Sequence, residues 1–163
     1  MITALKWLLV AAIVAAIAVV IAGQAGLLRG KPPDDLGVRD GKLKRPSKTP
    51  NSVSSQADLW PDHPQRDVAR IAPLALRGDG PATIARLRAI CAAMPGATLV
   101  TERGDYLYVQ FQTALMKYVD DTEFWFDPAA NVVQVRSASR VGRKDFDVNR
   151  ARVESIRAKL QAA

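Results

Sequence analysis

The chain of 163 residues has a single cysteine and a single histidine, and each scarcity removes a class of chemistry. Cys91 cannot close a disulfide within the chain, so cysteine usage says nothing about redox compartment. It falls on the apolar side of ATIARLRAICAAM, where a buried, inert thiol is expected rather than a reactive one. Nucleophilic catalysis needs a base beside a hydroxyl or thiol, and the one histidine, His63, stands in LWPDHPQ. Ser52, Ser54, Ser55, Ser137 and Ser139 offer hydroxyls, but none stands at a recognised spacing from His63, which disfavours a serine hydrolase. No internal repeat is visible.

Charge is missing from one stretch altogether. Between Lys6 and Arg29 runs WLLVAAIVAAIAVVIAGQAGLL, uncharged and with Gln24 as its one strongly polar side chain. About 20 such residues span the bilayer hydrocarbon as a helix, because every backbone polar group must be satisfied internally there. A cleaved secretory signal is the competing reading, but its apolar core is usually about 7–15 residues, shorter than this run. A retained anchor over residues 1–28 is therefore expected, meeting the bilayer through residues 7–28 with Trp7 at one interface. No cysteine follows the run to carry a lipid.

The formal net charge of +7 is concentrated in two places. Residues 29–56 hold seven basic and three acidic side chains, and residues 136–152 hold six and two. Beside a membrane span, the first segment is suited to anionic lipid headgroups. It has neither a reading element nor an aromatic stacking platform, so nucleic acid is not expected as a partner. Arg29, Lys31, Arg39, Lys42, Lys44 and Arg45 follow the span closely whereas only Lys6 precedes it, and this asymmetry taken alone places the domain in the cytoplasm.

Pro, Gly, Ser and Asn dominate residues 29–56, which read as a linker or, given Leu36, Val38, Leu43 and Val53, as a strap on the domain surface. Residues 57–163 read as the soluble domain. Val68–Leu76 (VARIAPLAL) is expected as a strand, with Pro73 marking an edge or bulge. Gly80-Pro81 opens a helix whose stripe is Ile84, Leu87, Cys91 and Met94, and Pro95-Gly96 ends it. ATLVTER and YLYVQFQT flank the two-residue turn Gly104-Asp105, predicting a hairpin.

A second hairpin, VDDTEFWFD and NVVQVRSAS, turns at Pro128 to Asn131. This pairs Asp127 with Val132, Phe124 with Val135 and Glu123 with Arg136. Phe124, Phe126, Val133 and Val135 then share one face, and Asp121, Glu123, Trp125, Arg136 and Arg140 the other. A last helix is expected from about Arg150 to Ala162, with Asn149 as N-cap, Val148 and Val153 as staple, and Val153, Ile156 and Leu160 buried. The whole predicts an α+β fold: an N-terminal transmembrane helix, then a small antiparallel sheet with two helices packed on one face.

Three stretches, PPDDLGVRDGKL with PSKTPNSVSSQA, then YVDDTEFWFD, then VRSASRVGRKDFDVNRARVESIR, together resemble the bacterial and plastid family known as domain of unknown function 1499. The resemblance spans residues 32–157. It implies no reaction, cofactor or partner. Many bacterial members look exported or membrane-tethered, which implies a domain outside the cytoplasm, against the charge asymmetry, and this localisation is the one adopted. Where the family pattern has a small residue near position 147, this chain reads Arg143-Lys144-Asp145-Phe146-Asp147.

Two clusters remain as candidate chemistry. Asp121 and Glu123 share a strand face, but Arg136 and Arg140 opposite them disfavour a metal ion, so exposed cross-strand ion pairing is expected and no metal or cofactor. The turn into the last helix gathers Arg136, Arg140, Arg143, Asn149 and Arg150, which could converge on a phosphate or carboxylate at the helix start. Asp121, Glu123, Ser137, Ser139 and Asp145 would support that network, and an internally satisfied network is favoured over a ligand site. The reading adopted is a membrane-anchored binding or scaffolding domain at the cell envelope, without catalysis. The alternative is an enzyme acting on an anionic small molecule or lipid headgroup.

Overall fold

The computed structural model describes residues 2–162. Its first element, α1 (Ile2–Gln24), is long and apolar enough over Thr3–Gln24 to cross a membrane, with a mean hydropathy of 2.7 and an 18-residue stretch that is nowhere buried in the protein. There follow β1 (Ser52–Ser54), α2 (Arg66–Ala69), α3 (Gly80–Ala92), β2 (Ala97–Arg103), β3 (Tyr106–Gln112), β4 (Val119–Asp127), β5 (Val132–Ser139) and α4 (Val148–Ala162). The strands form one antiparallel sheet in the order β1-β5-β4-β3-β2. The fold is α+β.

The β4–β5 hairpin has the predicted register throughout, and the β2–β3 hairpin has it at its turn, up to a bulge between Leu99 and Thr101 that shifts the first part of β2 by one residue. Arg103 pairs with Tyr106 across Gly104-Asp105, and Glu123 with Arg136 and Phe124 with Val135 across the β4–β5 turn. One sheet face carries Leu107, Val109, Phe124, Val133 and Val135 into a core closed by Ile84, Leu87 and Cys91 of α3 and Val153, Ile156 and Leu160 of α4. Each such apolar side chain contributes roughly 1.5–3 kcal/mol on burial. Burial also pushes the Cys91 thiol up to about 12, which keeps it protonated and inert. Asp79 caps α3 by accepting the Ala82 N–H at 2.7 Å, and Gly96 ends the turn beyond it at φ +72°, where a Cβ would lie 2.2 Å from the Gln112 carbonyl oxygen.

Two expectations change. The stretch from Val68 to Leu76 is not a strand. Its start belongs to α2, and only single bridges join Arg70 to Ser54 and Leu74 to Val133. Arginines of α4 take the place of a ladder partner: Arg150 donates to the Val68 and Arg70 carbonyls, and Arg157 to those of Ala72 and Pro73. Pro73 has no N–H to offer a ladder.

The last helix begins at Val148, and Asn149 lies inside its first turn rather than capping it. Asp145 supplies the cap, its Oδ2 accepting the Asn149 N–H at 3.0 Å. The turn before the helix places Phe146 (φ +52°) and Asp147 (φ +63°) in the left-handed region, without glycine at either position. Such backbone costs about 1–3 kcal/mol per residue and persists only where its surroundings enforce it.

Residues 29–56 form the strap, and their last part is β1, paired to β5 at the sheet edge. Leu43, with Leu36 and Val38, packs on Tyr106, Tyr108 and Trp125, covering the sheet face away from the helices. Gln56 fixes the crossing: its Oε1 accepts the Leu43 N–H at 2.8 Å, and its Nε2 donates to the Gly41 carbonyl at 3.0 Å.

Candidate functional site

Successive strand residues point to opposite faces, so Asp120 and Asp121 each enter a different buried cluster. On the helix side, Asp120 Oδ2 receives Arg152 Nη2 at 2.6 Å. Arg152 Nη1 donates to Asn149 Oδ1 at 2.9 Å, and its guanidinium lies 4.7 Å from the centroid of the Phe111 ring. Ser137 bonds Asn149 and Thr122, and Asn149 Nδ2 donates to Ser139 Oγ at 3.0 Å and Asp145 Oδ2 at 2.8 Å. Every bonding group of the Asn149 side chain is engaged. This cluster joins α4 to β4 and β5.

On the strap side, Arg140 grips Asp121 with two hydrogen bonds, Nε to Oδ2 at 2.9 Å and Nη2 to Oδ1 at 2.7 Å. Tyr108 donates its hydroxyl to the same carboxylate and accepts from Gln110 Nε2 at 2.9 Å. Two residues along the same strand face, Glu123 is held more loosely. Its Oε1 accepts the Gly37 N–H at 2.7 Å and the Tyr106 hydroxyl at 2.9 Å, while its buried Oε2 makes no hydrogen bond among the described residues. Arg136 Nη1 stands 3.7 Å from that oxygen, an ion pair too long for a hydrogen bond. The Arg136 side chain is 4% exposed, and its one hydrogen bond among the described residues runs from Nε to the Arg45 carbonyl at 3.3 Å.

Burial sets the electrostatics of this pair. Loss of solvent raises the Glu123 carboxyl above the ordinary glutamate range, opposed by the charge of Arg136 and the Gly37 and Tyr106 hydrogen bonds. Desolvation lowers Arg136, opposed chiefly by Glu123 and Asp121. Arg140 moves the other way, raised by its hydrogen bonds to Asp121. The expectation of exposed ion pairs is thus overturned: the ladder pairs as predicted, but under the strap and out of water.

Beside the strap opens a cavity of about 510 Å³, with Arg136 and Arg140 in its lining. Lys31, Lys44, Arg45 and Lys48 come to it from the strap, against the carboxylates of Asp34, Asp35 and Asp121. Asp35 is occupied by Lys44, whose ammonium bonds it and holds its carboxyl below the usual range. Asp121 is occupied by Arg140. The balance left facing the cavity is positive, which suits an anion.

Of the five residues expected to converge, the structure brings together two. Arg136 and Arg140 share the cavity, whereas Asn149 belongs to the helix side, Arg150 holds the 68–70 backbone and Arg143 is exposed. Asp145 serves Asn149 rather than the arginines. Four strap cations and the two tyrosines were not anticipated at the site, because their approach is tertiary. Arg152 also went unmarked, although its position three residues after Asn149 puts both on one helix face. Among the described residues, no group of three or more His, Cys, Asp or Glu side chains is arranged to hold a metal ion.

These features define a class: an α+β domain behind an apolar N-terminal helix, with a basic-lined cavity between its sheet and a strap. Residues 42–160 match the family described as protein of unknown function (DUF1499), and the chain belongs to that family. No curated protein and no solved structure matches it.

Proposed function

We propose that this is a membrane-anchored, non-enzymatic binding domain of the cell envelope, facing away from the cytoplasm, whose strap-covered cavity takes a small anion such as a phosphate or carboxylate group. The observation that carries the reading is Arg136: an almost fully buried guanidinium beside the cavity, with one hydrogen bond and a carboxylate beyond bonding reach. A buried cation needs several charge-assisted hydrogen bonds, and two oxygens of a phosphate or carboxylate match its unused donors. Arg140 is bound to Asp121 through Nε and Nη2 and contributes mainly shape and field.

The test is thermal unfolding of the full chain in detergent, titrated with inorganic phosphate. A ligand at a hundredfold excess over its Kd stabilises by about 2.7 kcal/mol, so the melting temperature should rise with phosphate. Arg136→Met should abolish the rise and Arg150→Ala preserve it. A melting temperature indifferent to phosphate and to carboxylates such as citrate would sink the reading. Turnover of a phosphate ester that depends on Arg136 would instead establish the enzymatic alternative.

A further inference from the structure

The end of α1 is fixed to one end of the sheet. Gln24 Nε2 donates to the carbonyls of Ala114 and Leu115 at 3.3 and 2.6 Å, and a Cβ on the buried Gly23 would lie 2.9 Å from the Met116 carbonyl oxygen. The loop joining β3 to β4 therefore lies at the level where the apolar helix stops. Around that level the surface is unusually apolar. Phe146 is 88% exposed and Leu27 76%, with Leu115, Tyr118 and Val148 also exposed. Leu27, Tyr118, Phe146 and Val148 line a single groove of about 580 Å³. Phe146 owes its outward position to the left-handed backbone of the turn, anchored through Asp145 to Asn149.

Basic side chains flank these apolar residues along the chain, and Lys144 lines the groove itself. Arg29 and Lys31 leave the helix end, Lys117 sits in the β3–β4 loop, and exposed Arg143 and Lys144 precede Phe146. Of the two carboxylates in the same turn, Asp145 is turned to Asn149, which leaves Asp147. An exposed aromatic ring flanked by cations is the chemistry of a bilayer interface, where the ring enters the headgroup region and the cations meet anionic lipid. We propose that this end of the domain docks on the surface of an anionic bilayer, the one α1 enters, with Phe146 inserted beside Leu27 and Leu115. A protein partner would need no alignment with the helix end, whereas the Gln24 and Gly23 contacts set the patch at the depth of the interface. Lys31 also lines the anion cavity, and the other docking side chains named here do not.

Cys91 is buried and its thiol is held protonated, so an introduced cysteine can be labelled selectively. The full chain carrying Phe146→Cys, labelled with a nitrobenzoxadiazole probe, is reconstituted in vesicles of phosphatidylcholine and phosphatidylglycerol. Ala129→Cys, in the turn at the other end of β4, is the reference. Doxyl-labelled lipid should cut emission at position 146 at least about twofold and leave position 129 unchanged, as expected for a group seated in the interface. Equal quenching of both probes by aqueous iodide, with no response to doxyl lipid, would overturn the proposal. So would shielding at position 146 that persists in detergent and grows with protein concentration, which would assign the patch to a second copy of the chain.

Discussion

The two faces of the sheet bury charge in different ways. On the helix side, Asp120, Arg152, Asn149, Ser137 and Thr122 form a closed set of partners. On the strap side the Asp121–Arg140 pair is equally well made, but its neighbour Glu123–Arg136 is stretched to 3.7 Å and leaves a carboxylate oxygen unbonded. A structural network satisfies itself because each missing hydrogen bond in a buried site costs about 1–3 kcal/mol. Asn51 Oδ1 is the other buried side-chain oxygen without a partner among the described residues, so the Glu123–Arg136 pair is set apart by being an unfinished ion pair beside a cavity.

The contrast can be broken at three points. Asp121→Ala has the largest expected effect, because it strands Arg140 and the Tyr108 hydroxyl out of water. Removing one partner of a buried pair costs about 3–5 kcal/mol, read from chemical denaturation of the full chain in detergent. A loss below about 1 kcal/mol would show that the strap face is open to water. Asn149→Ala comes next, at about 1–3 kcal/mol, from the partners left unsatisfied on Ser137, Ser139 and Arg152. It should leave the phosphate response intact, and loss of that response would join the two faces into one site.

The smallest effect separates the loose pair from the tight ones. The Glu123 carboxyl is raised by burial, so the folded state holds its proton more tightly than the unfolded chain does. Its contribution to stability is complete below the ordinary glutamate value and is lost as pH rises through the raised one. The melting temperature of the native chain relative to Glu123→Gln should therefore fall as pH increases above the ordinary carboxylate range. A difference that rises with pH would mean that Arg136 outweighs burial.

What was legible in the sequence was local. Gly104-Asp105 and strict alternation in YLYVQF and DDTEFWF predict both hairpins and their faces, since a one-residue slip would send every side chain to the wrong side. The stripe of Ile84, Leu87 and Cys91 predicts α3 in the same way. Val68–Leu76 misled because an apolar, β-branched run carries the same signal whether its carbonyls meet a strand or the arginines of a helix. The Asp121–Arg140 and Glu123–Arg136 pairs were legible as cross-strand neighbours. Their burial was not, because it comes from a Pro- and Gly-rich strap with no period of its own. The cavity is formed by that strap, so its four cations could not be assigned to it from spacing.

The strap also sets an order of events in time. Gly37 meets Glu123 across 86 residues of chain, and Arg45 meets Arg136 across 91. The segment that closes the polar face leaves the ribosome soon after the apolar helix, yet its partners are made only when β4 and β5 are complete. Contacts so distant in sequence repay their loop-closure entropy late. The hairpins and helices can form first, with Glu123 and Arg136 still in water, and the strap then folds over them as the final step. An anion present during synthesis would meet an open, hydrated arginine before that step, so the cavity is most accessible at its own making.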